Sequence, residues 1–546
     1  MLNKIRAAIV PILLCLLSLL ILFLYYKNIK IPFLTFSDGA KFAEIARNLF
    51  HGLGYGTYFN FFVESNLTLN AAGLFSGRWI PPLMPFSIFL IFKVIGVSDF
   101  SVIATSTFFY LLIVIIVFFL GTRIFGRLEG FLSGLAVATN LVFLDYATTG
   151  ASETLFIFEI VFGAYLLVLR KRWADYLCIS VLISLYFTRP QGFIYIFGLV
   201  CLWFFLKFSF KKAVKYLLLT TSFGILVDYL FLGPLDGQLF LYSIIKRASF
   251  SVPQHLPDVS SSFVLRGGVE GGELSGIFKK FFYNLYNLYK LLPEIASPYM
   301  WTLFVLGLFK WSKDKIGASL KASTILMIAI TFLVVALTIP LYRYIHPVIP
   351  FVYLFAVATL VWILRIIINN QSLMVKKWPL ISKFKKEQLV AGVSTLLILF
   401  FVVGQTLGVI FLDSRFKAKT VNKGKPPVYV ELSWMLRDNT STDEVVVTNL
   451  DAWGSWYGER RTIWYPLKPE QLMGLEDKVD AIYLTSYLMD DENYYMGPEW
   501  RQIFEDPRNI KDKYIAENYK YAKEFSLSSE ETYEKQDARA VLLVRK

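Results

Sequence analysis

Apolar residues run in long blocks along most of this chain, and polar residues gather between the blocks. Read as spans, the blocks fall at about 7–26, 102–121, 128–146, 154–169, 174–188, 192–208, 214–232, 296–310, 318–338, 351–368 and 389–412. A helix crosses hydrocarbon with roughly 20 residues, and the spans of 15 or 16 residues require tilt or local thinning of the bilayer. The pattern predicts a polytopic α-helical membrane protein with about 11 transmembrane helices. One further run, Pro81 to Gly96, is short for a crossing and long for a loop. It reads as a re-entrant or interfacial helix.

Charge orients these spans. Basic clusters lie at Lys4/Arg6, Arg123/Arg127, Arg170/Lys171/Arg172, Lys211/Lys212/Lys215, Lys310/Lys313/Lys315 and Lys376/Lys377/Lys383/Lys385/Lys386. Eleven crossings that start inside put every cluster on the cytoplasmic side, as the positive-inside rule asks. Counting Pro81 to Gly96 as a full span would place Arg170 to Arg172 outside. The first span has a short basic lead and no small-residue cleavage site after Tyr26, so it is expected to remain as a signal anchor.

The expected topology is multi-pass in a cytoplasmic (inner) membrane, with a cytoplasmic N-terminus. Residues 27–101, 233–295 and 413–546 then face outward. Residues 1–412 form the membrane domain, 413–427 a linker rich in Lys and Pro, and 428–546 a small extracytoplasmic α/β or α+β domain. In that domain the apolar runs 444–450, 481–486 and 540–546 read as strands and 512–525 as a polar helix.

Composition narrows the function. Of 546 residues, 56% are hydrophobic and 18% charged, against roughly 25% charged in an ordinary soluble domain, which excludes a water-soluble globule. The net charge of +14 resides in the membrane part: residues 413–546 carry 20 Lys and Arg against 24 Asp and Glu. Basic loops serve topology, and nucleic acid is not an expected partner. Cys15, Cys178 and Cys201 all lie in apolar runs, so neither an outer-domain disulfide nor a cysteine metal cluster is expected. No phosphate-cradling glycine loop, zinc-helix motif or nucleophile elbow occurs, and nucleotide-driven chemistry is unsupported.

Candidate chemistry lies where polar residues are expensive. In "FSDGAKFAEIARNLFHGLGYG" (36–56), Lys41, Glu44, Arg47 and Asn48 share one helical face and Phe42, Ala43, Ala46, Leu49 and Phe50 the other. Such a helix is expected to lie along the membrane surface. Asp38 at its start reads either as the helix N-cap or as a general base reaching both a lipid headgroup and a water-soluble acceptor. Asp145 and Glu153 bracket a polar break between two spans, and a carboxylate at that depth faces a cavity or a partner. Glu159 lies deeper, where an ion pair or a protonated state accounts for it. Arg189 in "YFTRPQGF" and Arg343 in "LYRYIHPVIP" stand at helix ends, where a guanidinium suits phosphate oxygens, or else snorkels. His346 follows Arg343 by three residues, with Tyr344 between them.

The order of "SDGAKFAEIARNLFHGLGYG", "RWIPPLMPFSIFLIFKVIG" (78–96), "TRIFGRLEGFLSGLAVATNLVFLDYATTGASETLF" (122–156), "TRPQG" and "RYIHPVIP" resembles the membrane glycosyltransferases of the GT-C class. The group that it most resembles contains the protein O-mannosyltransferases and the lipid A aminoarabinose transferases. The resemblance covers most of residues 1–412 and is weaker beyond. It implies that Asp38 is the catalytic aspartate of the first loop, Glu153 the acidic residue of the second, and Pro81/Pro82 the start of an outer-surface helix. Arg189, Arg343, Tyr344 and His346 would then bind the donor phosphate. Two departures stand out. Gly39 occupies the place where many relatives carry a second acid, and Arg78, Trp79 and Ile80 precede Pro81 without the carboxylate of some relatives. No metal-ligating residue and no cofactor is assigned; a divalent metal is left open. In "NLDAWGSWYGERRTIWYP" (449–466), a strand-turn segment, Trp453 and Arg460, with Arg78, are candidates for contact with the acceptor or a headgroup; for Trp453 and Arg460 a packed core segment is the other reading. The segment lacks the tryptophan-tryptophan-aspartate signature of oligosaccharyltransferases.

The expected activity is transfer of a single hexosyl or pentosyl unit from a polyprenyl-phosphate donor to a lipid, glycan or protein acceptor, with inversion. A flippase for lipid-linked sugars, or a non-catalytic scaffold of the same fold, are the alternatives.

Overall fold

The computed structural model describes residues 2–62, 69–77, 80–207, 210–231, 274–310, 314–337, 341–370, 386–491 and 494–546. Its helices follow the apolar runs: α1 (Leu2–Ile29), α2 (Ser37–Phe50), α3 (Leu83–Ile95), α4 (Asp99–Ile124), α5 (Arg127–Ala138), α6 (Leu141–Ala147), α7 (Glu153–Leu169) and α8 (Arg172–Thr188). Then come α9 (Gly192–Lys207), α10 (Phe210–Phe231), α11 (Leu274–Ile295), α12 (Pro298–Phe309), α13 (Lys315–Leu337) and α14 (Ile349–Asn370). The last membrane helix, α15, starts at Lys386 and runs through two π-helical stretches to Thr420.

Each expected span falls on one of these helices except 128–146, which falls on two, and the chain is a multi-pass membrane protein. Five helices among the described residues are long and apolar enough to cross a bilayer, or up to seven if each bent pair is one span. The expected straight span 128–146 is one such pair, α5 and α6 meeting at 63°. Asn140 makes this break: its side chain caps α6 by accepting from Phe143 N and donates to the Tyr353 hydroxyl at 2.8 Å. A second bend of 111° separates α11 from α12. The Pro81 run forms α3, packed on α2 and α4.

The C-terminal region is an α/β domain. Its strands are β4 (Val445–Thr448), β5 (Arg461–Trp464), β6 (Ala481–Thr485), β7 (Tyr519–Leu527) and β8 (Ala538–Arg545), preceded by α16 (Val428–Asn439). The first loop adds β1 (Gly56–Thr57), β2 (Phe59–Phe61) and β3 (Phe75–Ser76), with β1 paired to β3. β2 does not stay with them. It pairs in parallel with β5, so the six-stranded sheet runs β2-β5-β4-β6-β8-β7 and draws its first strand from the membrane domain.

Three expectations change here. The polar helix 512–525 is a short helix (Lys513–Asn518) followed by edge strand β7, whose charged outer face mimics helical amphipathicity. The strand-turn reading of 449–466 acquires a helical turn, Trp453–Trp456, between β4 and β5. The linker 413–427 begins as helix, because α15 continues without interruption through Ser414–Thr420. Of the large outer segment 233–295, residues 233–273 lie outside the described residues.

Two hydrophobic cores result. One is the helical bundle. The other joins Ala40, Ile45, Met84, Ile88, Phe92 and Val102 of the membrane domain to Val446, Ile482 and Leu543 of the sheet. The soluble domain is thereby welded to α2, α3 and the start of α4. Asp99 accepts from Trp456 Nε1 at 2.7 Å and from the Tyr457 hydroxyl at 2.8 Å, and Arg47 donates to the carbonyls of Ser455 and Trp456.

Candidate active site

The site begins with how α2 enters. Its N-cap is Phe36, in extended conformation and without a side-chain cap, so Asp38 sits in the first helical turn and is not the cap. Gly39 lets this turn press onto the break between α6 and α7: a Cβ there would stand 2.2 Å from the Thr149 carbonyl oxygen. The missing second acid thus has a steric reason, since no side chain fits. The close approach delivers Asp38 to Glu153, the first residue of α7.

Around these carboxylates the arginines close in. Arg343, on a single 3-10 turn (Tyr342–Tyr344), donates from Nη1 to Asp38 Oδ2 at 2.9 Å and lies 3.8 Å from Glu153 Oε1. Arg189, the C-cap of α8, places Nη1 2.6 Å from Glu153 Oε1 and donates to the Ser152 hydroxyl at 3.1 Å. Lys41, one turn along α2 from Asp38, approaches Asp38 Oδ1 at 3.4 Å. Burial alone would raise the Asp38 pKa, but Arg343, Lys41 and Arg189 together outweigh it and hold the carboxyl well below the ordinary carboxylate range. Arg189 is 7% exposed and Glu153 1%, whereas the Asp38 and Arg343 side chains are about one quarter exposed, so the cluster opens on their side. Arg189 Nε, Arg343 Nε and Glu153 Oε2 are buried and make no hydrogen bond among the described residues.

Other candidates play different parts. Tyr344 and Phe36 lie under the Arg343 guanidinium, at 5.6 and 5.5 Å from ring centre to Cζ, and steady it by cation–π contact. His346 is fully buried and hydrogen-bonds the Tyr146 hydroxyl, holding the 3-10 segment to α6. Asp145, instead of joining Glu153, pairs with Lys30. Trp453 is 4% exposed and donates to the Leu34 carbonyl, which clamps the soluble domain to the first loop. Of the two readings of Arg460, the packed one describes its contacts: its guanidinium donates to the carbonyls of Arg437, Gly458, Glu459 and Thr440. Arg78 lies outside the described residues. The polar face of α2 is also not a solvent face. Glu44 is buried and accepts from Asn48, Thr57 and Tyr58 N, and burial raises its pKa.

Sequence reasoning missed Lys41 as a site residue, although its place three residues after Asp38 signals it. It also missed Asp451, which comes within 3.2 Å of Lys41. No local signal marks that contact. The site carboxylates face guanidinium and ammonium groups, and among the described residues no group of three His, Cys, Asp or Glu side chains is placed to hold a metal ion.

Residues 80–230 match the family described as dolichyl-phosphate-mannose-protein mannosyltransferase. That segment carries Glu153 and Arg189 but neither Asp38 nor Arg343. No curated protein matches the chain by sequence. Among solved structures, ArnT from Cupriavidus metallidurans in the apo state is similar over 97% of this chain and 97% of that chain, with a TM-score of 0.52 at 11% identity. The same protein bound to undecaprenyl phosphate gives a TM-score of 0.52 at 10% identity, with 97% of each chain covered. The archaeal oligosaccharyltransferase AglB from Archaeoglobus fulgidus, in complex with an inhibitory peptide and a dolichol-phosphate, gives 0.55 at 12% identity over 90% of this chain and 71% of that one. Helical membrane domain and C-terminal α/β domain together therefore have the architecture of the GT-C membrane glycosyltransferases, the class that the sequence resembles.

Proposed function

We propose that the protein transfers a single sugar from a polyprenyl-phosphate donor to an acceptor hydroxyl at the outer face of the cytoplasmic membrane, with Asp38 as general base. The observation that carries this reading is the convergence of Asp38, Glu153, Arg189 and Arg343 into one half-open cluster. In the reaction the acceptor hydroxyl gives its proton to Asp38 while its oxygen bonds to the anomeric carbon. The bond from that carbon to the phosphate oxygen breaks, and its electron pair leaves with the polyprenyl phosphate. A single displacement inverts the anomeric centre. Arg343 and Arg189 stabilise the charge on the departing phosphate, and Glu153 holds both guanidinium groups toward it. Apolar helices hold the polyprenyl chain.

With no donor bound, Arg343 depresses the basicity of Asp38. A donor phosphate that takes over Arg343 relieves Asp38, so the base gains strength when the donor is in place. The undecaprenyl phosphate of the similar ArnT structure and the dolichol-phosphate of AglB support a polyprenyl-phosphate donor, and the AglB peptide makes a protein one candidate acceptor beside lipid and glycan.

The test is transfer from a radiolabelled panel of polyprenyl-phosphate sugars by wild type and Asp38→Asn in lipid nanodiscs, with an envelope fraction as acceptor. Transfer that is lost in the variant while donor binding persists supports the base. Donor binding without transfer, unaffected by the substitution, points to a flippase.

A further inference from the structure

Asp451 stands three residues beyond the end of β4, an interior strand of the sheet. It is 3% exposed, and its φ of +53° lies in the left-handed region that side chains other than Asn, Asp and Gly avoid. Its carboxylate is fully engaged: Oδ1 accepts from Ala452 N at 2.8 Å and lies 3.2 Å from Lys41 Nζ, and Oδ2 accepts from the Tyr494 hydroxyl at 3.1 Å.

Lys41 is the shared partner. Its ammonium lies over the Phe59 and Phe61 rings, 5.2 and 5.0 Å from their centres, and bridges Asp451 to Asp38. A lysine already beside Asp38 needs no second buried carboxylate for neutrality, and burying one on a strained backbone costs stability. The arrangement makes sense in a longer row. Asp451, Lys41, Asp38, Arg343, Glu153 and Arg189 alternate in sign, from the soluble domain to the end of a membrane helix.

We propose that Asp451 is a positioning residue for sugar transfer: by anchoring Lys41 between two carboxylates, it lets the soluble domain set the orientation and basicity of Asp38. The inference rests on the function proposed above. Without Asp451, Lys41 turns wholly to Asp38, weakening the base and holding its oxygen away from the acceptor. Among the described residues, the charged groups in contact with Lys41 are Asp38 and Asp451, and Asp38 faces Lys41 and Arg343, with Arg189 and Glu153 behind. The donor phosphate meets the arginines at the other end of the row, so donor affinity does not depend on Asp451.

The test is steady-state kinetics of the full chain in nanodiscs, with the polyprenyl-phosphate sugar that wild type uses. Asp451→Asn removes the charge and keeps a residue that tolerates the left-handed backbone; Asp451→Gly serves the same purpose should the Asn protein fail to fold. The expected result is a fall in kcat of about tenfold with donor KM changed less than about twofold. In a Lys41→Met background, loss of Asp451 has no further effect. An unchanged kcat, or a rise in donor KM that accounts for the whole loss, overturns the inference. Wild type that transfers from no donor refutes the proposed function itself, whereas active wild type with an unaffected Asp451→Asn refutes only this step.

Discussion

Arg343 and Asp38, 305 residues apart in the chain, meet at 2.9 Å, and the same guanidinium reaches Glu153 at 3.8 Å. One arginine thus ties the first loop to the start of α7, and in the proposed reaction it neutralises the departing phosphate. Replacing it with Lys keeps a charge but loses the fork that serves two carboxylates. Arg343→Lys is expected to lower transfer by at least about tenfold and to weaken binding of polyprenyl phosphate, as read by equilibrium binding of a radiolabelled lipid.

Asp38 also links stability to pH. Its folded-state pKa lies below the ordinary value of 3.8, so the unfolded chain takes up the proton first as pH falls. The stabilisation is fully present above the ordinary value and is lost as pH falls through the depressed one. Thermal unfolding from pH 7 to pH 3 should show a constant gap between wild type and Asp38→Asn down to about pH 5, narrowing below it. A gap that widens on acidification would contradict the ion-pair geometry.

Glu153 faces two guanidinium groups in a buried setting. Glu153→Gln removes the carboxylate paired with Arg189, while Arg343 keeps Asp38, at a cost of roughly 3–5 kcal/mol. The double variant Glu153→Gln/Arg189→Gln removes one excess charge and should melt at a higher temperature than Glu153→Gln alone. Melting curves of the three proteins in one detergent decide it.

Gly39 is the pivot of α2. Gly39→Ala puts a methyl group 2.2 Å from the Thr149 carbonyl oxygen, and Gly39→Asp, which would restore the second acid of relatives, adds a carboxylate to the same clash. Both are expected to lower the melting temperature and to abolish most transfer, because Asp38 moves with the helix. An active Gly39→Asp protein would show that the turn has room.

Asp99 pins the soluble domain through Trp456 and Tyr457. Asp99→Asn keeps its size but loses a charged acceptor of two hydrogen bonds, at a cost of about 1–3 kcal/mol. Limited proteolysis should then cut faster between Val421 and Pro427, where α15 ends. Arg460→Ala, by contrast, should lower stability while leaving donor KM unchanged.

Much of this was legible in the sequence because hydrocarbon is an exacting solvent. Apolar blocks had to become helices, and the Pro81 run, too short to cross, became α3. Asp38, Glu153, Arg189 and Arg343 were legible as candidates because charges at helix ends near a membrane are costly without partners. Pairing was not. Whether Asp145 or Asp38 accompanies Glu153 depends on the bend at Asn140 and on the absence of a Cβ at Gly39, and neither leaves a periodic trace. Arg460 looked like a ligand and proved to be bound to carbonyls, because in sequence a buried guanidinium and an exposed one are the same letter.

By itself the sequence determined the membrane-embedded helical class, the positions of the apolar helices and the presence of both strands and helices in the C-terminal domain, since each follows from local patterns of apolar and polar residues. Tertiary structure alone decided that β2 of the first loop joins the far sheet, that the polar face of α2 is buried against it, and that Asp451 shares Lys41 with Asp38. Those are contacts between residues hundreds of positions apart. Their selection rests on shape complementarity and charge compensation across interfaces, which come into being only when the chain has folded.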